Sequence, residues 1–274
     1  MSKPHILIGT PCYGGVLHIG YFRSMMRLQE LCTQQGIGLT FHNIGSESLV
    51  QRARNWYVSI MLSNPVYTHL VFIDADITFE AENVLKWIHD DSKDVVCGIY
   101  PKKALQWNNI LEIPTLPIDG NISSDMIEQI SNEYVINFPL DTTSIQPVNG
   151  YVKCLYAGTG MMCIKRNVIE LLKERYPETK YVNDVPGYVF EPTMENNFYA
   201  LFDCFICPTS NRYLSEDFAF CQRVIDQGFD IWADLTCDLN HTGNHTFKGS
   251  FGKKMVFLHQ KSIFEIEKAK QAKK

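Results

Sequence analysis

Two carboxylates separated by one residue follow a short apolar stretch of the chain. The stretch His69-Leu70-Val71-Phe72-Ile73 runs directly into Asp74-Ala75-Asp76. Its β-branched and aromatic residues predict a short strand that is buried on both faces. In open α/β sheets, ligands bind at the carboxyl ends of strands, and paired carboxylates there suit Mg²⁺ or Mn²⁺ carrying a phosphorylated substrate. An acidic turn or helix cap after a core strand explains the same residues equally well.

Further charged residues lie near the starts of two predicted helices. Arg52 and Arg54 precede an apolar helix face and could reach a nucleotide or a diphosphate, although a solvated helix face explains them as well. A second acidic pair, Glu216 and Asp217, follows Ser215. With Ser215 as the N-cap, the two acids could simply be stabilised by the helix dipole.

A glycine turn and two histidines complete the set of candidates. Gly158-Thr159-Gly160 separates two apolar stretches, 151–156 and 161–166, that predict strands. Glycines there would let the backbone approach a ligand closely, and a plain hairpin explains them equally well. His241 comes shortly after the last predicted strand, at 231–235, with His245 close behind it as a competing metal ligand.

The elements that must position these residues alternate regularly over the first hundred residues. Hydrophobic periodicity predicts strands at 6–11, 39–44, 69–73 and 94–100, with helices at 19–36, 48–63 and 79–89 between them. Strand, helix, strand order implies parallel pairing by right-handed crossovers. The sequence therefore predicts an α/β protein with a Rossmann-like, doubly wound, mostly parallel sheet.

The periodicity is less regular after residue 103. The segment 104–150 is rich in proline and polar residues, which favours either an acceptor-binding insertion or a short helix at Ser124 to Asn132 with a hairpin. A helix is predicted from Val168 to Glu174, an aromatic strand at 198–206, and an exposed helix from Lys261 onwards.

Composition excludes several classes of function. The chain has 274 residues, and its net charge of −5 provides no general attraction for nucleic acid or anionic membranes. We find no uncharged apolar stretch of membrane-spanning length and expect no integral membrane segment. Nine cysteines scattered among apolar residues indicate buried thiols rather than a disulfide framework. The default expectation is a cytoplasmic protein that binds no nucleic acid.

The order of the motifs resembles the four hallmarks of the GT-A fold of nucleotide-sugar glycosyltransferases. These are Asp74-Ala75-Asp76, Gly158-Thr159-Gly160, Ser215-Glu216-Asp217 and His241, and the resemblance covers about residues 5–250. The chain is also similar to short single-domain glycosyltransferases of large DNA viruses and phages, which would place it in the host cytoplasm.

The resemblance implies one catalytic domain over residues 1–260. Its nucleotide-binding half would span 1–103, and its acceptor-binding half, with a smaller antiparallel sheet, would span 104–260. Residues 261–274 would form an exposed helix or tail.

The resemblance also implies roles for the acidic residues and the histidine. Asp76 would ligate the metal directly, while Asp74 would contact the ribose or reach the metal through water. His241 would complete the metal shell, and imidazole with carboxylate favours Mn²⁺ somewhat over Mg²⁺. Asp217 would be the general base of an inverting displacement, with Glu216 as its nearest substitute. A histidine ligand is more frequent among retaining members, so both stereochemical outcomes stay open and inversion is preferred.

The nucleotide would lie against residues from several parts of the chain: Thr10, Pro11, Cys12 and Tyr13 at the base, and Arg52, Asp74, Ala75 and Lys248 near the ribose, the uracil or the diphosphate. The donor would be a UDP-hexose or a UDP-pentose such as UDP-xylose, and the acceptor a glycan or glycoprotein hydroxyl.

Two alternatives remain. A sugar-phosphate nucleotidyltransferase would want a basic, glycine-rich phosphate loop, and Gly14-Gly15-Val16-Leu17-His18 lacks a lysine or arginine. A non-catalytic sugar-binding domain would be expected to have lost one of the acids or the histidine.

Overall fold

The computed structural model describes residues 3–106, 108, 123–139 and 146–271. Its helices are α1 (Ile19–Gln35), α2 (Val50–Ser63), α3 (Ala81–Ile88), α4 (Ser124–Ser131), α5 (Arg166–Arg175), α6 (Glu216–Asp226) and α7 (Phe251–Gln271), with 3₁₀ turns at Pro177–Thr179 and Pro192–Asn196. Its strands are β1 (His5–Cys12), β2 (Gly38–Gly45), β3 (His69–Ile73), β4 (Ile77–Thr78), β5 (Val95–Gly98), β6 (Ile136–Asn137), β7 (Tyr151–Cys154), β8 (Tyr156–Ala157), β9 (Met161–Lys165), β10 (Phe205–Ile206), β11 (Tyr213–Leu214), β12 (Ile231–Asp234), β13 (Asn240–Thr242) and β14 (Thr246–Lys248). Of the helices described, none has both the length and the apolar character needed to cross a membrane.

Seven strands form the central sheet, in the order β2-β1-β3-β9-β5-β12-β7. Strand β1 pairs in parallel with β2 and β3, and β5 pairs in parallel with β12. Strand β9 lies antiparallel between β3 and β5, and β7 lies antiparallel to β12 at one edge. Five strands therefore run in one direction and two in the other, which confirms the mostly parallel α/β sheet that the sequence predicts.

Alternate side chains of the strands supply two hydrophobic cores, one on each face of the sheet. Leu7, Leu70 and Phe72 pack with buried residues of α2, α5 and α6. Their neighbours Ile6 and Val71 pack with buried residues of α1 and α3. Successive strand residues point to opposite faces, so helices cover the sheet on both sides. This arrangement confirms the predicted doubly wound architecture.

The two strands on either side of the glycine turn are not partners of each other. Strand β7 pairs with β12 at the sheet edge, whereas β9 pairs with β3 and β5 in the middle of the sheet. The hairpin explanation of Gly158-Thr159-Gly160 is therefore wrong. Apolar periodicity predicts that a strand exists but contains no information about which distant strand it pairs with.

Other boundaries differ from the sequence predictions. The aromatic stretch 198–206 is a strand only at Phe205–Ile206, and the fully buried Phe198 and Phe202 pack in the core outside regular structure. The helix predicted at Ser124 to Asn132 is α4, and the C-terminal helix begins at Phe251, ahead of Lys261. Of the predicted insertion at 104–150, residues 107, 109–122 and 140–145 lie outside the described part of the chain.

A smaller antiparallel sheet, in the order β14-β13-β4, adjoins the central sheet. Strand β4 begins directly after Asp76, so the acidic turn joins the two sheets. Strand β13 pairs with β4, with Asn240 opposite Thr78 and His241 opposite Ile77. This pairing brings the histidine motif to the acidic turn from a distant part of the sequence. It also confirms that a smaller antiparallel sheet is present, with one of its strands, β4, contributed by the first half of the chain.

Candidate active site

The acidic turn at the end of β3 is held by backbone hydrogen bonds from both sides. The Asp74 amide donates to the Gly160 carbonyl at 2.8 Å, and the Ile77 amide donates to the Asp74 carbonyl at 3.1 Å. The Thr242 amide donates to the Asp76 carbonyl at 2.9 Å. The turn is thus fixed to the glycine loop and to the histidine strand. The backbone that carries Asp74 and Asp76 is therefore held in a fixed position.

His241 faces Asp76 across the small sheet. The imidazole Nε2 lies 3.4 Å from Asp76 Oδ1, and the histidine side chain is 15% exposed. Its Nδ1 lies 2.8 Å from the carbonyl oxygen of Pro101. Because a carbonyl can only accept, we place a proton on Nδ1; in the singly protonated ring, the Nε2 lone pair is directed toward the carboxylate. Histidine metal ligands are oriented by this kind of hydrogen bond from the other ring nitrogen.

The other oxygen of Asp76 has a different partner. Lys103 Nζ lies 2.5 Å from Asp76 Oδ2. Burial alone would raise the pKa of Asp76, but the contacts with His241 and Lys103 outweigh it and hold the pKa at about 2. The carboxylate is therefore ionised at neutral pH, with one oxygen facing an imidazole and the other a lysine.

Asp74 turns away from Asp76 and toward Arg54. The guanidinium Nη2 lies 3.2 Å from Asp74 Oδ1, and Nε of the same group lies 3.5 Å from Glu216 Oε1. Its Nη1 lies 3.4 Å from the Thr159 carbonyl, and the guanidinium sits 5.2 Å from the ring centroid of Phe72. Burial raises the pKa of Asp74 more than the charge of Arg54 lowers it. Arg54 thereby connects three of the sequence motifs.

The outcome for Arg54 differs from both alternatives that the sequence left open. Its side chain is 3% exposed, so it is neither a solvated surface residue nor free to bind a diphosphate. Arg52, two residues earlier, instead forms a bidentate pair with Glu47, with Nε–Oε2 at 2.6 Å and Nη2–Oε1 at 2.9 Å. The nucleotide contact expected for Arg52 would therefore require this pair to open.

Asp217 lies in the first turn of α6. Its Oδ1 accepts a hydrogen bond from the Phe218 amide at 2.8 Å and another from the Ser215 hydroxyl. Ser215 occupies the N-cap position, but its side chain bonds Asp217 rather than a backbone amide of the helix. Burial, followed by the charge of Glu216, raises the pKa of Asp217 above its ordinary value. A raised pKa makes a carboxylate a better proton acceptor, which suits a general base.

A cavity of about 360 Å³ opens beside the acidic turn. Asp74, Ala75, Asp76 and His241 line one side of it. The other sides are formed by two segments: the end of β1 and the loop that follows it (Pro11, Cys12, Tyr13, Val16 and His18), and the end of β2 and the residues that follow it (Ile44, Glu47, Ser48 and Val50). The ends of β1, β2 and β3 therefore surround one cavity, as expected for the carboxyl edge of a parallel sheet.

Of the four residues predicted to contact the nucleobase, 10–13, three line the cavity and one does not. Tyr13 lines the cavity with its side chain 69% exposed, so its ring is available for stacking. Pro11 and Cys12 also line the cavity, whereas Thr10 is fully buried with its hydroxyl 2.6 Å from the Tyr21 hydroxyl. Thr10 thus contributes to the core side of the loop, and contact with a ligand there is left to the next three residues.

Lys248 and His245 contact helix α4 rather than the acidic turn. Lys248 Nζ pairs with Asp125 at 2.8 Å, and His245 Nε2 lies 3.3 Å from Glu128. Both partners belong to α4. Of the two candidate histidines, it is His241 that faces Asp76.

The two glycines of the loop 158–160 lie against the packed ring of Tyr100. A Cβ at Gly160 would lie 2.5 Å from Tyr100 Cε1, and a Cβ at Gly158 would lie 2.2 Å from the Tyr100 hydroxyl oxygen. The Tyr100 ring in turn meets the His241 ring edge-to-face, with centroids 5.2 Å apart. The glycines therefore make room for a side chain that supports the histidine, which neither sequence explanation included.

Three residues at the site were not assigned a role from the sequence. Glu47 and His18 line the cavity, and Lys103 contacts Asp76. His18 is held next to the acidic turn because its amide donates to the Ala75 carbonyl at 3.0 Å. Their positions after predicted strands or before predicted helices were visible in the sequence. What they contact depends on pairings between distant segments.

The donor atoms present suit a divalent cation that also binds a substrate. Asp76 Oδ1 and His241 Nε2 face each other with no proton between them in the tautomer assigned above. Within the described residues, no three His, Cys, Asp or Glu side chains cluster closely enough to hold a metal by themselves. Mg²⁺ is usually bound by one or two carboxylates with substrate phosphates and water completing the shell. Two protein ligands beside a cavity fit that pattern.

Comparisons with known proteins give structural neighbours only. No family model matches the chain, and neither does any curated protein. Protein A197 from STIV has a TM-score of 0.46 and 13% identity, covering 89% of this chain and 94% of A197. A glycosyltransferase involved in glycosylation of the major capsid of PBCV-1 has a TM-score of 0.32 and 12% identity, covering 85% and 93%. Drosophila β1,4-galactosyltransferase 7, in complex with manganese, UDP-Gal and xylobiose, has a TM-score of 0.37 and 11% identity, covering 90% and 70%.

Glycosyltransferases are thus among the structural neighbours. Nucleotidyltransferases match as well. Likenesses at these identities and TM-scores indicate no substrate, so a functional conclusion has to come from the geometry of the site itself.

Proposed function

We propose that the chain is a metal-dependent glycosyltransferase that uses a nucleoside diphosphate sugar. The observation that carries the proposal is the facing pair of Asp76 Oδ1 and His241 Nε2, 3.4 Å apart at the mouth of the cavity. The Pro101 carbonyl accepts from Nδ1 and fixes the ring, so that the singly protonated imidazole points its Nε2 lone pair at the carboxylate. Such a pair can hold a divalent cation while leaving coordination positions open for a diphosphate.

The remaining residues divide into donor and acceptor sides. Tyr13 would stack on the nucleobase, and the cavity between the ends of β1 and β2 would take the nucleoside. Asp76 and His241 would hold Mn²⁺ or Mg²⁺, and a cation bound there would neutralise charge developing on the leaving diphosphate. Asp74, held by Arg54, would orient the ribose side of the donor.

Asp217 would act on the acceptor. In an inverting displacement, the acceptor hydroxyl oxygen forms a bond to the anomeric carbon as the bond to the diphosphate oxygen breaks, and the carboxylate takes the hydroxyl proton. The N-terminus of α6 lies near the donor side because Arg54 binds both Asp74 and the adjacent Glu216. A retaining reaction would give Asp217 no such role, and NMR of the product anomer distinguishes the two outcomes.

UDP is the proposed donor nucleotide, with a hexose or a pentose such as xylose as the sugar and a glycan or glycoprotein hydroxyl as the acceptor. Thermal unfolding with UDP, with and without Mn²⁺, tests the first part of this proposal. A ligand at about one hundred times its dissociation constant adds roughly 2.7 kcal/mol to the free energy of unfolding. We expect a clear rise in Tm only when UDP and Mn²⁺ are both present.

Hydrolysis of UDP- and GDP-sugars in the presence of Mn²⁺ then identifies the donor. The nucleotidyltransferase alternative predicts the opposite preference: binding of a nucleoside triphosphate, and release of pyrophosphate when a sugar 1-phosphate is added. Stabilisation by UTP with a sugar phosphate, and none by UDP with Mn²⁺, would reject the glycosyltransferase proposal.

A further inference from the structure

Lys103 occupies one oxygen of the carboxylate proposed to bind the cation. Its Nζ lies 2.5 Å from Asp76 Oδ2, while Asp76 Oδ1 faces His241 Nε2 at 3.4 Å. An ammonium on Oδ2 and a cation on the same carboxylate repel each other. The two positive charges therefore compete for Asp76.

The segment that carries Lys103 is built into the histidine side of the site. Pro101, two residues earlier, provides the carbonyl that orients His241. The stem of Lys103 passes close to Gly243, where an added Cβ would lie 3.2 Å from Lys103 Cδ. A Cβ at position 243 would require the flexible stem to shift by a few tenths of an ångström, so the glycine two residues after His241 leaves room for the stem on its way to Asp76.

The neighbouring lysine points elsewhere. Lys102 Nζ pairs with Glu133 at 3.0 Å, and that pair is about half exposed on both sides. The two residues have the same chemistry and adjacent positions, yet one contacts the site and the other a surface glutamate. Lys102 is therefore a matched control for Lys103.

The other cations near the cavity are less free to move than Lys103. Arg54 is buried between Asp74 and Glu216, and Arg52 is held by both oxygens of Glu47. The Lys103 side chain is 38% exposed, and its one ion pair with a described residue is made through a single charged atom at the end of a flexible stem. Because Asp76 itself lines the cavity, the Lys103 ammonium already lies within hydrogen-bond distance of a cavity wall.

We propose that Lys103 is an exchangeable counter-ion: it pairs with Asp76 before the donor arrives and moves to the diphosphate when a divalent cation takes the carboxylate. This inference rests on the proposed function, because it assumes a diphosphate ligand in the cavity. Lys103 would then have two opposite effects, weakening binding of the cation alone and strengthening binding of the nucleotide diphosphate.

Two binding measurements on the full chain test the proposal, and neither depends on turnover. The electron paramagnetic resonance signal of free Mn²⁺ reports cation binding without nucleotide, and calorimetry with UDP at saturating Mn²⁺ reports diphosphate binding once the cation is in place. We expect Lys103→Met to bind Mn²⁺ at least about threefold more tightly. The same variant should bind UDP at least about tenfold more weakly.

Lys102→Met should leave both affinities within about twofold of the wild type, since its pair is exposed. Lys103→Arg keeps the charge and should retain most of the UDP affinity. Unchanged Mn²⁺ affinity or unchanged UDP affinity in Lys103→Met would overturn the inference while leaving the proposed function standing. Failure of the wild-type protein to bind UDP, with or without Mn²⁺, would instead overturn the proposed function.

Discussion

The two carboxylates of the acidic turn are neighbours in sequence but have different partners in the structure. Asp74 pairs with the buried Arg54, whereas Asp76 lies between His241 and Lys103. Residues i and i+2 of an extended strand point to the same face, but Asp74 and Asp76 lie in a turn closed by the Ile77 amide on the Asp74 carbonyl, which lets the two side chains diverge. The sequence predicted two acids at one site, and their different partners indicate that Asp74 and Asp76 have different roles there.

The metal-ligand role of His241 can be tested against His245 as a matched control. We expect His241→Ala to weaken Mn²⁺ binding at least about tenfold, because one of the two facing donor atoms is removed. His245→Ala should change it little, since that ring is 58% exposed and contacts Glu128. Titration of Mn²⁺ by electron paramagnetic resonance measures both. Equal losses in the two variants would contradict the assignment.

The general-base role of Asp217 predicts a loss of rate without a loss of donor binding. We expect Asp217→Asn to lower kcat by about 10²–10⁴-fold and to leave the UDP affinity unchanged. Asp226→Asn, at the exposed end of α6, serves as the control. Near-normal turnover of Asp217→Asn would reject the assignment.

The pH dependence of Asp217 has a definite sign. Burial and the charge of Glu216 raise its pKa, and a base must be deprotonated to act. The acid limb of the kcat profile should therefore lie above the value of about 3.9 that an unperturbed aspartate would give. The limb should disappear from the residual activity of Asp217→Asn.

Among the elements, α2 connects the acidic turn to the start of α6. It does so through Arg54, which reaches Asp74, Glu216 and the Thr159 carbonyl from one helix. Since the guanidinium is planar with several donors, one side chain can hold three segments in a fixed arrangement. The donor and acceptor sides of the proposed site are thereby coupled through a single buried charge.

Replacing Arg54 should destabilise the fold as well as the site. Arg54→Met would leave two carboxylates without their partner, and we expect a loss of about 3–5 kcal/mol in the free energy of unfolding. Urea denaturation measures the loss, with the exposed Arg27→Met as the control. The double variant Arg54→Met/Glu216→Gln should lose less free energy of unfolding than the two single variants lose together, because Glu216→Gln removes one of the carboxylates left unpaired by Arg54→Met. Strict additivity would show that Arg54 and Glu216 act independently.

At the scale of the whole molecule, a second buried pair connects the cavity to a loop beyond α5. Glu47 lines the cavity, and its side chain, 1% exposed, accepts hydrogen bonds from Arg52 and from the Tyr188 hydroxyl. Trp56 Nε1 donates to the Tyr188 carbonyl at 2.8 Å, which fixes the same loop to α2. Glu47 therefore supports the wall of the cavity by holding two segments that are distant in sequence.

This pair predicts how stability depends on pH. Burial alone would raise the pKa of Glu47, but hydrogen bonds from Arg52, Tyr188 and the Leu49 amide hold it at about 2. The pKa of a glutamate in the unfolded chain is about 4.3. The stabilisation that ionised Glu47 gives the fold is therefore complete above that pH and is lost as the pH falls toward 2. We expect Glu47→Gln to lower the free energy of unfolding by about 1–3 kcal/mol at pH 7.

The difference between the wild type and Glu47→Gln should become smaller at pH 3, and urea denaturation at the two pH values measures it. Glu30→Gln, on the exposed face of α1, should show little change at either pH. A difference between wild type and Glu47→Gln that is the same at pH 7 and pH 3 would contradict the ionic origin of the stabilisation.

The sequence by itself determined the local features of this protein. Apolar periodicity placed β1, β2, β3 and β5 with the helices between them, and α1 is capped by Gly36, the last residue of the predicted helix, with a left-handed backbone, φ +65°. The acidic turn after β3 was also visible, because a buried strand followed by carboxylates is a pattern of adjacent residues. These features depend on interactions within one element and its ends.

Only the tertiary structure decided which distant segments meet. It placed β9 antiparallel between β3 and β5, selected His241 rather than His245 to face Asp76, and brought Arg54 and Lys103 onto the two acids of one turn. These contacts join residues separated by between 20 and 165 positions in the chain, as from Arg54 to Asp74 and from Asp76 to His241. The physical reason is that such contacts form between faces of packed elements, and local periodicity specifies the faces without specifying their partners.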